Sequence, residues 1–123
     1  MNKRSILNKY LDNHIFEAVK QYAIDEQLKQ PETIQEAASF MWGVFIKERP
    51  YSSINLQDDF INWCMGQSLS TITTWTSEAI DILHAAGYYS TPEKEANAET
   101  FLHVKLSMRV RHYLTDKDWD LIS

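Results

Sequence analysis

With 123 residues the chain has room for one domain, whose core would bury roughly two-thirds of the surface that the unfolded chain exposes. Four Trp, six Tyr and five Phe within a 44% hydrophobic composition exclude a disordered chain, and three Gly with three Pro are too few for a turn-rich all-β domain. A net charge of −5, from 12 basic and 17 acidic residues, gives no bulk support for binding nucleic acid or an anionic membrane. The single cysteine, Cys64, excludes an intramolecular disulfide and a multi-cysteine zinc site.

The first elements are helical. Ile6, Leu7, Tyr10 and Leu11 recur at helical spacing, and Ile15, Val19, Tyr22 and Ala23 continue the stripe. Asn13 either caps a second helix there or sits on the outer face of one long helix; the favoured expectation is a short helix followed by a longer one ending near Leu28. Thr33 and Glu36 then have the form of a capping box, in which each side chain satisfies an orphan backbone N–H. Behind them Ile34, Ala37, Ala38, Met41, Trp42 and Phe45 form an apolar stripe. That helix must stop before Pro50, because the residue preceding a proline avoids the α region.

Asn55, with Asp58 and Asp59 just inside, predicts the next helix start, since negative charge suits unsatisfied N–H groups. Leu56, Phe60, Trp63 and Cys64 share its inner face. Ser68 or Ser70 suits the cap of a following helix whose stripe runs to Leu83, with Gly87 as its left-handed C-cap. Thr91 and Pro92 predict another start. Beyond it, Leu102, Val104, Leu106, Met108 and Val110 alternate with polar residues, which is the period of a strand over 101–112. A helix there would carry apolar groups around most of its circumference, as suits one enclosed by neighbours. The sequence offers no second strand to pair with, so the expectation is a helix. The fold expected is all-α, a compact bundle of five or six helices in a single domain over 1–123, with α+β as the alternative and 115–123 as a mobile tail.

The stretch from Asp59 to Ser70 resembles the central signature of a family of short helical proteins found in bacteriophages and bacterial mobile elements. That signature is aromatic-x-x-Trp-x-x-Gly, here Phe60, Trp63 and Gly66. Thr91-Pro92-Glu93-Lys94-Glu95 resembles the family's acidic helix start, and Ile34 to Ala38 followed by Trp42 its preceding amphipathic helix. The likeness spans residues 13–114. It departs at Gln67-Ser68-Leu69, where the family has Leu-Pro-Ser. The resemblance implies a helical fold and a phage-like setting, and it implies no catalytic residues.

The residues themselves carry little chemistry. Cys64 lies on an apolar stripe without basic neighbours in sequence, as a buried thiol does. The four histidines lack the i, i+4 pairing of a helical metal site, and no metal or cofactor is expected. Asp81 with His84, and Glu99 with His103, are spaced to meet across a helical turn. The carboxylate pairs Asp58/Asp59 and Glu93/Glu95 sit at helix starts. Lys105, Arg109 and Arg111, with His112, concentrate positive charge in the last helix, where they would contact phosphate or an acidic partner, or offset the helix dipole. These seven acidic and basic residues are the candidate binding residues; none is assigned a catalytic role.

The expected function is that of a non-enzymatic, cytoplasmic protein-binding protein of phage or mobile-element type. Its acidic exterior would block a nucleic-acid-binding surface of a host defence complex, as an anti-CRISPR-like inhibitor does. The partner expected is therefore a host protein or complex, with a second copy of the chain also considered and neither nucleic acid nor membrane expected. The alternatives are a small DNA- or RNA-binding regulator that uses the basic last helix, and an enzyme with a site of dispersed residues. No apolar run is long enough to span a bilayer, and the basic start Met1–Ser5 leads into no signal-peptide core.

Overall fold

Apolar side chains three and four residues apart drive the chain into helices that bury one face each. In a computed structural model, which describes residues 3–48, 55–66, 77–87 and 98–122, these are α1 (Lys3–Asp25), α2 (Ile34–Glu48), α3 (Leu56–Gly66), α4 (Ser77–Ala85), α5 (Ala98–His112) and α6 (Asp116–Trp119). A 3₁₀ turn, Asp120–Ile122, follows. Among the described residues there is no strand, and the protein is all-α.

The break expected near Asn13 does not occur: α1 runs unbroken for 23 residues. Its buried stripe, Leu7, Leu11, Ile15, Ala18, Val19 and Ala23, keeps one phase from end to end, so a break would gain nothing and would orphan backbone groups. Asn13 simply lies on the exposed face. The helix ends in a Schellman motif, with Gln27 in the left-handed region at φ 57°. The Leu28 N–H reaches back to the Ala23 carbonyl at 2.7 Å and the Gln27 N–H to that of Ile24 at 3.2 Å.

The predicted caps form, with one variation. Thr33 Oγ1 accepts from the Glu36 N–H at 3.1 Å, while the Glu36 carboxylate accepts from the N–H of Glu32 rather than that of Thr33. Asn55 Oδ1 accepts from the Asp58 N–H at 3.1 Å and starts α3. α2 ends at Glu48, short of Pro50. Gly87, at φ 78°, closes α4, its N–H donating to the His84 carbonyl. The expected starts at Ser68 or Ser70 and at Thr91 fall outside the described residues.

The segment with strand-like alternation is α5. Ala98, Leu102, Leu106 and Val110 are buried, spaced by four residues, and four is also a multiple of two. Of the intervening apolar residues, Val104 is half-buried and Met108 is 47% exposed, so alternation of type does not correspond to alternation of environment. The buried face instead takes in the polar His103 and Ser107; the Ser107 hydroxyl donates to the Val104 carbonyl one turn back, at 2.9 Å.

α5 packs against α1, α2 and α3, α1 also packs against α2 and α4, and α2 also packs against α6 and the 3₁₀ turn, so α1, α2 and α5 share the middle of the bundle. An aromatic cluster joins α2 to α3 and α6. Trp42 meets Phe45 at 5.4 Å between ring centroids, Phe60 at 5.3 Å and Trp119 at 5.2 Å. Phe45 and Phe60 pack edge to face at 4.9 Å, and Trp63 lies 5.9 Å from Phe60. The tilted contacts place the positive edge of one ring on the negative face of another, while Trp63 stacks nearly parallel on Phe60.

The expected tail at 115–123 is a capped turn seated on α2 over its described part, 115–122. Asp118 is buried, and its Oδ2 accepts from the Ser39 hydroxyl (2.8 Å), the Thr115 N–H (2.9 Å) and the Thr115 hydroxyl (3.0 Å). Its backbone carbonyl takes the indole N–H of Trp42 at 3.1 Å. A buried carboxylate so supplied with donors holds its segment in place.

Candidate functional site

Of the candidate residues, Asp58 and Asp59 point apart because consecutive residues on a helix are about 100° apart around its axis. Asp58 is exposed and accepts from the Asn55 side chain at 2.7 Å, while Asp59 is buried. They do not form a carboxylate pair. Glu93 and Glu95 lie outside the described residues.

The basic residues of α5 divide as well. Arg111 turns toward α3: its Nε donates to the Ser107 carbonyl at 3.2 Å, and its charge acts on the buried thiol of Cys64. Burial pushes that thiol's pKa far above its ordinary value and Arg111 only partly offsets this, so Cys64 stays protonated and unreactive. Burial likewise draws the Arg111 pKa down.

Lys105 and Arg109 share the opposite side, one turn apart, and with His112 they line a groove of about 240 Å³ between α5 and α1. Asn8, Leu7 and Leu11 of α1 complete its wall with Met108. Arg109 is held by a network that no sequence spacing announces. Its Nε donates to Asp12 Oδ1 at 2.6 Å and its Nη2 to Asp12 Oδ2 at 3.0 Å, a two-pronged ion pair across 97 positions in sequence. Tyr113 closes the network, donating to Asp12 Oδ2 at 2.6 Å and accepting from Arg109 Nη2 at 3.0 Å. The hydrogen bond that Arg109 donates to Asp12 raises the Arg109 pKa, and burial followed by Asp12 raises that of the Tyr113 phenol. The Lys105 ammonium lies 5.3 Å from the centre of the Phe101 ring.

The two histidine–acid pairs differ. His103 is buried, its Nε2 3.7 Å from the exposed Glu99, and burial lowers its pKa more than Glu99 raises it. Asp81 and His84 are both exposed. Among the described residues no group of three His, Cys, Asp or Glu side chains is placed to hold a metal ion, and no helix is long and apolar enough to cross a membrane.

Two further hollows meet on α2. One, of about 500 Å³, follows the seam between α2 and α6 past Ser39, Lys117 and Leu121. The other, of about 220 Å³, lies by Val19, Lys29 and Pro31, and Glu36 with Phe40 forms a wall common to both. Each mixes acidic and basic side chains, whereas among the described residues the charged side chains lining the α1–α5 groove are cations or a histidine, one of them Arg109 already paired with Asp12.

Sequence reasoning missed Asp12, Tyr113 and Asn8 at the groove, and Ser39 at the α6 seam. Asp12 and Arg109 are complementary in charge, but nothing local in either helix pairs them. No family model matches the chain, no curated protein matches it, and no solved structure matches it.

Proposed function

We propose that this chain is a non-enzymatic protein-binding protein of the kind made by phages and mobile elements. In this reading its acidic exterior covers a basic, nucleic-acid-binding surface on a host defence complex. The observation that supports it is the distribution of charge. Among the described residues eleven carboxylate side chains are exposed, from Glu17 to Asp120, against four lysines: Lys9, Lys29, Lys47 and Lys117. The two arginines of α5 are meanwhile turned to intramolecular partners, Arg109 to Asp12 and Arg111 to Ser107.

A surface so biased steers toward a positive partner and repels nucleic acid, which favours this reading over that of a nucleic-acid-binding regulator. The test is affinity capture from host lysate followed by elution with excess RNA or DNA. A stoichiometric protein complex should be recovered, should be released by nucleic acid, and should be retained less as salt rises. A variant carrying Glu17→Lys, Glu26→Lys, Glu32→Lys and Asp81→Lys, with an unchanged helical circular-dichroism spectrum, should lose it. Equal capture by that variant, or a complex that nucleic acid does not displace, overturns the proposal.

A further inference from the structure

We infer that the hollow between α2 and α6 is a binding site for a free α-amino acid with an apolar side chain. The inference does not rest on the acidic surface; it concerns one seam of the bundle and the opposite charges that flank it.

The hollow holds about 500 Å³, within the roughly 300–1,000 Å³ of small-molecule sites. Gln35, Glu36, Ser39 and Phe40 line it from α2, with Lys117 and Leu121 from the C-terminal turn. Both charges that a zwitterion needs are present. Lys117 makes no hydrogen bond or ion pair among the described residues. The Glu36 carboxylate engages only Oε2, which accepts from the Glu32 N–H, and its Oε1 is in no hydrogen bond among the described residues. The two line one hollow and do not pair with each other, so a gap is left between opposite charges. Asp118, the remaining charge in the lining, is buried, and its Oδ2 is taken by Ser39 and Thr115.

The polar groups beside these charges sort in the same way. Ser39 donates its hydroxyl proton to Asp118 at 2.8 Å, which leaves it only acceptor lone pairs for a ligand. With Glu36 it suits the three donors of an ammonium group. The Gln35 side chain has no partner among the described residues, and its N–H₂ joins Lys117 as a donor to a carboxylate. The rest of the lining is apolar. Phe40 is half-buried, and Leu121, at 54%, is the most exposed large apolar side chain among the described residues. A ligand side chain laid on these two removes their surface from water. A phosphate or a polyamine would meet only half of this set, whereas an apolar amino acid meets all of it.

Each charge has a local reason as well, since Glu36 caps α2 and Lys117 is an exposed residue of a short helix. Those reasons predict no saturable ligand. The experiment is a titration of the full chain with L-leucine, 4-methylpentanoate and isopentylamine, followed by two-dimensional NMR and by amide exchange over 115–122. The second probe lacks the ammonium group of leucine and the third its carboxylate. Leucine should shift the Gln35, Phe40 and Leu121 signals in a saturable way and slow exchange in the C-terminal turn, because it bridges that turn to α2. Each analogue should bind about tenfold more weakly, the loss of one charge-assisted contact. Lys117→Met should weaken leucine by about the same factor and leave isopentylamine unchanged. Glu36→Gln, which keeps a capping side chain, should weaken leucine and leave 4-methylpentanoate unchanged. Lys47→Met, exposed elsewhere on α2, should alter none of them. Shifts that do not saturate, equal affinity for the three probes, or leucine binding unchanged in Lys117→Met and Glu36→Gln overturn the inference. None of these results bears on the acidic-surface reading, because Glu17, Glu26, Glu32 and Asp81 do not line the hollow.

Discussion

The aromatic cluster around Trp42 and the polar seam around Arg109 are two solutions to the problem of joining distant segments. Trp42, Phe45 and Phe60 are fully buried and hold α2, α3 and α6 together by area and ring geometry, so any neighbour of the right size and slope would serve. At the seam Arg109, Asp12 and the half-buried Tyr113 join the end of α5 to α1 through hydrogen bonds, with the ion pair itself about one-fifth exposed, where direction and charge matter more than area. The first kind of junction tolerates error in placement and contributes most of the stability. The second contributes less and fixes where a particular side chain points.

The contrast breaks first at Trp42. Trp42→Ala should cost about 3–5 kcal/mol, by lost transfer energy and the cavity left behind, and should appear as a large fall in the guanidinium midpoint. That is a large share of the roughly 5–15 kcal/mol that stabilises a domain. Trp42→Phe, which retains a six-membered ring and loses the rest of the indole with its N–H to the Asp118 carbonyl, should cost less. If the two variants were equally destabilised, the cluster would depend on the hydrogen bond rather than on packing.

Asp118→Ala should come next, at about 1–3 kcal/mol, because it strands the Ser39 and Thr115 donors that meet on one oxygen. It should also change the fluorescence of Trp119, which rests on Trp42. An unchanged emission spectrum would mean that α6 stays seated without its carboxylate.

Asp12→Ala should cost about 1–2 kcal/mol, a charge-assisted pair discounted for its partial exposure. The same seam responds to alkali. The Tyr113 pKa is raised in the folded state, so its contribution to stability is fully present below the ordinary phenol value of about 10 and is lost as pH rises through the folded value. Tyr113→Phe should remove that alkaline loss, as read from denaturation midpoints on either side of the transition.

The smallest effect belongs to His103. Its pKa is lowered, mainly by burial, so the folded state takes up its proton later than the unfolded state does as pH falls. Stability from this residue is present above about pH 6.5 and declines as pH drops from there to the folded value. Comparing midpoints at roughly pH 7 and pH 5, His103→Gln should show a shallower decline than the parent chain. An equal decline would assign the acid response to other groups.

Helix faces were legible because burial repeats with the backbone. Ala37, Ala38, Met41, Trp42 and Phe45 read as one stripe and are one, and the same holds for Phe60, Trp63 and Cys64 on α3. Caps were legible because they are local: Thr33, Asn55 and Gly87 act on backbone groups within a few residues. The candidate site was only half legible. Lys105 and Arg109 follow from helical spacing, but the split of Arg111 toward Cys64 depends on where α3 lies.

The sequence alone therefore determined helix type, helix faces and most helix ends, since each follows from interactions within a turn or two of backbone. Only the tertiary structure decided that Asp12 would hold Arg109, that Asp118 would be buried against Ser39 and Trp42, and that the alternating segment would turn the polar His103 and Ser107 inward beside Leu102, Leu106 and Val110. Those outcomes require two helices to meet at a given rotation and height, and that geometry is set by the packing of the whole core rather than by any spacing within one segment.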